Sequence, residues 1–163
     1  MNYKFPKIRL GLCCINILLK YNEKVYASRK KTMALITKKG IDDAINSAKE
    51  NVIDLAKMLL WNKNHGIEVM RVSSELVPHA TNPEIIKQFG KAGEEYSKFE
   101  FLRPYLTKVG HIANLEKMRL TAHPGQFVQV ASPSEKVFNA SVKELEMHVK
   151  FFEMMELPRF SNS

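Results

Sequence analysis

The sequence has 163 residues, 45% of them apolar and 26% charged, which is enough for one domain with its own hydrophobic core. Its 25 lysines and arginines outnumber the 17 aspartates and glutamates and give a formal charge of +8, which favours a polyanionic partner over an acidic catalytic cleft. Cys13 and Cys14 are the only cysteines and lack metal-knuckle spacing, so we expect a reducing intracellular compartment, cytoplasm or nucleus, and not secretion. The apolar run from Leu10 to Leu19 is too short to span a bilayer, and we expect no membrane partner.

Strand and helix patterns alternate along the first half of the chain. Ile8 to Ile15 is an apolar run that predicts a first strand buried on both faces. The polar and basic segment from Asn16 to Lys39 predicts a long loop with room for a short helix, and loops of this length are often functional. Apolar residues then recur at helical spacing from Ile41 to about Asn64, where Gly66 permits a cap. Ile67 to Ser73 predicts a second strand.

The second half repeats this alternation. A turn-rich loop from Ser73 to Pro83 precedes a helical region from Glu94 to about Asn114, which Pro104 must kink or divide. Met118 to Ala122 predicts a third strand, and Ser134 to Glu156 predicts a final amphipathic helix. The apolar stripe predicted to be buried on that helix consists of Val137, Val142, Leu145, Val149, Phe152 and Met155.

This alternation implies right-handed βαβ units and a parallel sheet. Three strands are few for a sheet that needs cover on both faces, and closure into a barrel takes about eight. The predicted fold class is therefore α/β, a partial TIM (β/α)8 barrel made of roughly the first three units. The loops that begin at Asn16, Ser73 and His123 are expected to meet at one rim, where such folds hold their chemistry. Of the polar residues expected at this rim, Glu75 is the only acidic one, which is too few for a multinuclear phosphoesterase site.

The loop after the third strand holds the strongest candidate residues. His123 follows the strand directly, and a neutral imidazole there suits Zn, Mn or Fe; a histidine hydrogen-bonded to a neighbouring loop is the equal alternative. Gln126 and Phe127 suit stacking on, and hydrogen bonding to, an unstacked base, whereas the alternative is an aromatic ring packed over the barrel end. His148 lies close to the apolar stripe of the last helix and is expected to be structural.

Several motifs together resemble the UV-damage endonucleases, which are similar in turn to barrels of the apurinic endonuclease IV type. The matching segments, in chain order, are IRLGLCCIN (8–16), YASRKKT (26–32), WNKNHGIEVMRVSSELVP (61–78), HPGQF (123–127) and ASP (131–133). The resemblance covers Ile8 to about Leu157. It implies a TIM barrel that holds up to three divalent ions, typically Mn²⁺, and nicks double-stranded DNA immediately 5′ of a UV photoproduct. It implies neither a glycosylase step nor a covalent intermediate.

The resemblance also implies roles for individual residues. His123 matches a metal ligand of the family, and Asn16 matches an active-site asparagine. Gln126 and Phe127 match the pair that wedges into the duplex where damaged bases are flipped out. The family often has tyrosine at the second of these places, and phenylalanine keeps its stacking face but lacks the hydroxyl.

One metal position departs from the family pattern. Many members have a histidine before the proline of the serine-serine loop, where this chain has Asn82, and its own histidine lies three residues earlier at His79. The resemblance therefore leaves open whether His79 or Asn82 binds metal, or whether that ion is lost. The basic residues expected to track the DNA backbone are Arg29, Lys30 and Lys31.

The family barrel continues into further strands that carry the remaining His, Glu and Asp ligands, whereas this sequence ends after about three of eight units. We therefore expect residues 1–163 to be the N-terminal part of the barrel domain, inactive alone, with a complementary C-terminal fragment as a partner. Two other hypotheses stay open. One is a catalytically inactive DNA-binding or assembly fragment, and the other is a metal-dependent barrel of the sugar-isomerase type that acts on small molecules.

Overall fold

A computed structural model describes residues 8–157, and residues 1–7 and 158–163 lie outside the described part. Three strands, β1 (Leu10–Cys13), β2 (Ile67–Ser73) and β3 (Arg119–His123), form one parallel sheet in the order β1-β2-β3. This confirms the predicted alternating α/β fold with three parallel strands. The predicted second strand has the observed bounds, and the third is displaced by one residue.

Helices fill both connections and follow the last strand. Between β1 and β2 lie a π-helical turn at Leu19–Glu23 and the helices α1 (Met33–Lys39) and α2 (Ile41–Asn64). Between β2 and β3 lie a 3₁₀ turn at Ser74–Leu76, α3 (Pro83–Phe89), α4 (Lys91–Lys98), a second 3₁₀ turn at Glu100–Leu102, and α5 (Arg103–Leu115). The helix α6 (Glu135–Met154) follows β3.

Helix α2 lies where the sequence predicts it. Asp42 and Asp43 occupy its first turn, where the helix dipole favours negative charge, and Gly66 adopts a positive φ of 74° just after its end. Its buried face packs mainly against α5 and the sheet. Trp61, in its last turn, stacks on His65 with the two ring centroids 3.6 Å apart.

The helical region predicted from Glu94 to Asn114 is divided, but not at Pro104. The chain breaks at Phe99, which has a left-handed φ of 62°, and Pro104 sits in the first turn of α5, where its missing N–H costs no hydrogen bond. Helix α3 was not predicted. It begins at Pro83, and the side chain of Asn82 caps it by accepting a hydrogen bond from the Glu84 amide.

The prediction that the first strand is buried on both faces is wrong. Strand β1 has only four residues, and Leu10 and Cys13 are exposed, Leu10 to 62%. Within residues 8–157, no strand pairs with the outer edge of β1. On the neighbouring strands, Arg71 and Arg119 are also exposed, so the sheet face opposite the helices is open to solvent over the described residues.

The buried face of α6 agrees with the predicted stripe only in part, since Met155 is buried and Phe152 packs against the core as predicted. Residues Met147, His148, Phe151 and Met154 are buried, whereas Val149 is 56% exposed and Val142 and Leu145 are only half-buried. The helix carries two apolar stripes at the same period, and packing against α5 selects the one that periodicity alone did not single out. At that contact, a Cβ on Gly110 would lie 1.7 Å from the Met155 carbonyl oxygen, so glycine is required for the close approach.

None of the helices in the described part of the chain is both long enough and apolar enough to cross a membrane.

Candidate active site at the strand ends

The carboxyl ends of the three strands meet at one rim of the sheet. In the parallel ladder Cys13 pairs with Arg71, and Ser73 pairs with His123. The loops that leave these strand ends therefore begin side by side, as the fold class predicts. This rim holds the candidate residues of the third loop together with the end of the first strand.

A cluster of two thiols and an imidazole lies at this rim. The Sγ of Cys14 is 2.6 Å from Nδ1 of His123, and the Sγ of Cys13 is 3.7 Å from the same nitrogen. These three donor atoms all lie within 4.8 Å of one another. Among residues 8–157 no other group of three His, Cys, Asp or Glu side chains comes together in this way.

The backbone of Cys14 makes this cluster possible. Successive side chains of a strand point to opposite faces, so adjacent cysteines in an unbroken strand would point apart. Cys14 follows the last residue of β1 and has a left-handed φ of 64°, which turns the chain and places both thiols on the His123 side. This arrangement is not evident from the sequence, because 109 residues separate Cys14 from His123.

The Cys14 thiol is held in its neutral form. Burial, with a further contribution from the neighbouring Cys13, raises the pKa of Cys14 to about 12. Cys14 is buried and Cys13 is exposed, so solvent reaches the cluster from the Cys13 side. Without another cationic partner, Cys14 is therefore a poor nucleophile at neutral pH.

The loop after His123 presents the predicted base-contacting pair to solvent. Gln126 is exposed and Phe127 is 78% exposed over residues 8–157, and the choice between base contact and packing over the end of a complete barrel stays a prediction. The turn closes with a hydrogen bond from the Val128 amide to the Gly125 carbonyl. The exposure leaves the Phe127 ring accessible to a ligand.

Two residues of α6 hold this loop, and sequence analysis missed both. The Gly125 amide donates to Oε1 of Glu144 at 2.6 Å, and the Gln129 amide donates to Oγ of Ser141 at 2.8 Å. These bonds fix the backbone on either side of Gln126 and Phe127. The only sequence signal was that Ser141 and Glu144, three residues apart, share a helix face beside the predicted apolar stripe.

Asn16 is buried beside α2 and is not part of the thiol–imidazole cluster. Its Nδ2 donates to Oδ1 of Asn62 at 3.2 Å, and its Oδ1 accepts from the Leu19 amide at 3.1 Å. These contacts fix the start of the π-helical turn after β1. Its predicted active-site role stays a prediction.

Arg29 is held inside the protein by several contacts. Its guanidinium lies 2.6 Å from Asp54 and 3.1 Å from Glu50, and it stacks over the Tyr26 ring at 4.4 Å. Only 20% of its side chain is exposed. A DNA phosphate would have to displace these carboxylates, so the geometry indicates a structural role for Arg29 beside the predicted contact with the DNA backbone.

Lys30, Lys31 and His79 line one hollow of about 230 Å³ beside the serine-serine loop. Lys30 pairs with Glu75 at 2.5 Å, but 74% of its side chain is exposed. Lys31 is 16% exposed and pairs with Asp43 at 2.7 Å. Of the three predicted backbone-contacting residues, Lys30 is therefore the best placed to meet a phosphate.

His79 and Asn82 lie apart from the thiol–imidazole cluster. One ring nitrogen of His79, Nε2, lies 2.7 Å from the Lys31 carbonyl oxygen, and the Asn82 side chain caps α3. Their polar atoms thus have local structural partners. The prediction that one of them binds metal stays a prediction.

His148 is buried, with only 2% of its surface exposed, and its ring packs edge-on against Phe151. Neither ring nitrogen has a hydrogen-bond partner within the described part of the chain. Burial lowers the pKa of His148, and His123 lowers it further while Glu144 acts in the opposite direction. The residue is therefore a neutral core histidine.

Comparison with known proteins identifies the family. A family profile described as UV-endonuclease UvdE matches residues 8–163. The chain belongs to the UV-endonuclease UvdE family. Among its relatives, a UV-damage endonuclease of Schizosaccharomyces pombe is 37% identical over 150 residues, which is 91% of this chain and 23% of that protein. A putative UV-damage endonuclease of Acanthamoeba polyphaga mimivirus is 34% identical over 148 residues, which is 91% of this chain and 42% of that protein.

The fold of the family is shared as well. A solved structure titled "Crystal Structure of SacUVDE" superposes with a TM-score of 0.74 at 23% identity and covers 93% of this chain. The chain spans 47% of that structure and less than half of the two relatives above. The match therefore shows the fold, and the three parallel strands correspond to part of a TIM barrel.

Proposed function

We propose that this chain contributes the lesion-probing part of a DNA repair endonuclease that nicks the phosphodiester bond 5′ of UV photoproducts. Membership in the UvdE family and the names of its relatives support endonuclease activity on UV-damaged DNA. One observation carries the assignment to this part of the barrel. The exposed pair Gln126 and Phe127 projects from a braced turn that begins at His123, at the rim where barrel enzymes act.

The chemistry of that pair suits an opened duplex. An aromatic ring can stack on a base or fill the gap that a flipped base leaves, and an amide can hydrogen-bond to a base edge. Each aromatic stacking contact with a base is worth about 1–3 kcal/mol. The loop gives Phe127 no protein partner that would compete strongly, since most of its surface is in water.

The experiment compares binding to two duplexes of one sequence, with and without a single UV photoproduct. The double substitution Gln126→Ala with Phe127→Ala should abolish the preference for the damaged duplex. The matched control is Phe138→Ala, which removes another exposed aromatic ring, on α6 outside this loop. An unaltered preference in the double variant would refute the lesion-probing role, and a parent chain without any preference for the damaged duplex would favour a small-molecule barrel of the sugar-isomerase type.

The family expectation of up to three Mn²⁺ ions does not fit the residues around Nδ1 of His123. Mn²⁺ prefers carboxylate, carbonyl and water oxygens, whereas the side-chain donors beside this nitrogen are two sulfurs. Glu75, in the segment after β2, is paired with Lys30. We therefore assign no hydrolytic step to Mn²⁺ at this cluster, and hydrolysis is a proposal for the complete barrel.

This shortage of oxygen ligands favours a second candidate function, a DNA-binding or assembly fragment without catalysis. Binding of the photoproduct duplex that does not change on addition of Mn²⁺ or a chelator would support it. A gain in binding or incision with metal would support the nuclease instead. Both outcomes can be measured with the chain as it is.

A complementary C-terminal barrel fragment is the proposed protein partner. The chain spans less than half of its relatives' length, the edges of β1 and β3 are unpaired over residues 8–157, and Leu10 and Val149 expose apolar surface. Open edges and apolar faces of this kind bind further strands and helices. Co-expression with the remaining barrel segment of a relative should yield a 1:1 complex, and two separate species on size exclusion would refute the partnership.

A further inference from the structure

We propose that Cys13, Cys14 and His123 form a binding site for a thiophilic divalent ion such as Zn²⁺. The three donor atoms already lie within 4.8 Å of one another at the end of the sheet. Two sulfur ligands and one imidazole are a donor set that zinc proteins use, with a fourth position left for water. The proposal does not depend on the DNA repair function.

The left-handed backbone conformation of Cys14 is consistent with a functional role for this cluster. A residue other than glycine in the left-handed region costs about 1 kcal/mol or more, and such strain concentrates at functional positions. Cys14 adopts this conformation directly after β1. Because of this conformation, the thiols of Cys13 and Cys14 both lie on the same side of the chain, beside His123 of β3.

The distances suit a tetrahedral ion after a small adjustment. With Zn–S near 2.3 Å and Zn–N near 2.0 Å, sulfur and nitrogen ligands of one ion lie about 3.6 Å apart. Cys13 Sγ is 3.7 Å from Nδ1 of His123 and needs no movement. Cys14 Sγ, at 2.6 Å, has to withdraw by about 1 Å, which a small χ1 rotation provides.

The donor set also predicts selectivity. Thiolate sulfur selects zinc and other soft or borderline ions, and disfavours Mn²⁺ and Mg²⁺, which prefer oxygen. The exposed Cys13 gives an ion access from solvent, while burial of Cys14 shields the other side. We therefore expect Zn²⁺ to displace Co²⁺ from the site and an excess of Mn²⁺ to leave Co²⁺ bound.

The test uses Co²⁺ as a coloured substitute for Zn²⁺, with the full 163-residue chain kept under a non-chelating phosphine reductant. Titration should produce a sulfur-to-cobalt charge-transfer band and the visible bands of tetrahedral cobalt at a 1:1 ratio. Changes in outer-shell partners already weaken metal sites about 10- to 100-fold, so Cys13→Ser, Cys14→Ser and His123→Ala should each weaken Co²⁺ binding at least about tenfold. The exposed His111→Ala is the matched control and should bind like the parent.

The outcomes that support the metal site differ clearly from those that contradict it. Cys13 is exposed, so Cys13→Ser keeps the test valid even if the buried Cys14→Ser variant fails to fold, which circular dichroism checks. Absence of the charge-transfer band in the reduced parent, equal binding by Cys13→Ser, or displacement of Co²⁺ by Mn²⁺ as effective as by Zn²⁺ would each overturn the proposal. None of these results bears on the comparison of the damaged and undamaged duplexes, because that comparison can be made without metal.

Discussion

The Glu144 carboxylate accepts a 2.6 Å hydrogen bond from the Gly125 amide, and this contact ties the Gln126–Phe127 turn to α6. A Cβ at Gly125 would lie 2.8 Å from the same carboxylate oxygen, so the Glu144 side chain would have to shift if a larger residue replaced this glycine. The orientation of the exposed aromatic ring therefore depends on a helix residue 19 positions after Gly125.

Glu144→Ala should loosen the turn and weaken damage recognition, whereas Glu144→Gln keeps an acceptor oxygen and should retain most of it. Hydrogen bonds to charged groups contribute about 1.5–3 kcal/mol, and we expect the alanine variant to lose about tenfold in affinity for the photoproduct duplex. Fluorescence anisotropy measures this, with Glu146→Ala, an exposed glutamate on the same helix, as the control.

A double-mutant cycle with Gly125→Ala tests the mechanism behind that loss. Both substitutions disturb the same contact. The double variant should therefore lose clearly less binding free energy than the two single variants lose together. Full additivity would mean that Glu144 acts on DNA binding by another route.

Lys30→Ala should reduce the salt dependence of DNA binding with little effect on folding. Loss of one phosphate contact lowers the slope of log K against log salt by about 0.9 for duplex DNA.

Arg29→Ala should instead lower the free energy of unfolding, because it leaves the buried Asp54 without its closest cation. Binding isotherms at several salt concentrations, together with urea unfolding, distinguish the two residues; an unchanged slope for Lys30→Ala contradicts the phosphate contact.

Asp54 should make the stability of the fold sensitive to acid. Burial of its carboxyl group raises the pKa, but hydrogen bonds from Lys57 and Arg29 outweigh that effect and hold the pKa below its ordinary value. Because the folded-state pKa is depressed, the stabilisation is present above the unfolded pKa of about 4 and is lost as pH falls through the folded value.

Urea unfolding between pH 7 and pH 3 measures this dependence. The free energy of unfolding of the parent should fall more over the acid range than that of Asp54→Asn. The variant should be less stable than the parent at pH 7, and its stability should change less below pH 4. Asp42→Asn, an exposed aspartate on the same helix, should keep the profile of the parent. Parallel profiles for the parent and Asp54→Asn would show that the ion pair contributes nothing.

The 163-residue chain should not nick UV-irradiated plasmid in the presence of Mn²⁺. Metal-assisted phosphodiester hydrolysis needs several oxygen ligands around its ions, and the described residues gather only two thiols and an imidazole at the strand ends. Gel analysis of supercoiled plasmid checks this, with a full-length relative as the positive control. Turnover by this chain at high purity would disprove the expectation.

The elements predicted well from sequence are those with a strong period and clear ends. Helix α2 and strand β2 have both, and the structure places them at the predicted bounds. The buried face of α6 was predicted only in part, because two apolar stripes satisfy the same period and only the contact with α5 distinguishes them. Helix α3 was missed because its signal is a local cap at Asn82 and not a long apolar pattern.

The candidate site was predictable only in part. His123, Gln126 and Phe127 share one short motif, so a local pattern was enough to single them out. The approach of Cys14 to His123 depends on strand order, register and a single left-handed backbone residue, none of which a sequence period encodes. The role of Glu144 was not predictable either, because its partner is the backbone amide of Gly125 and every residue except proline has such an amide.

The buried Asn51 side chain joins two of the rim segments. Its Oδ1 accepts from the Arg29 amide at 2.8 Å, and its Nδ2 donates to the Leu76 and Glu75 carbonyls at 3.1 and 3.3 Å. One amide group on α2 thus links the basic segment after β1 to the serine-serine segment after β2. These two segments therefore cannot move independently of each other, and a ligand that contacts both would meet a single rigid surface.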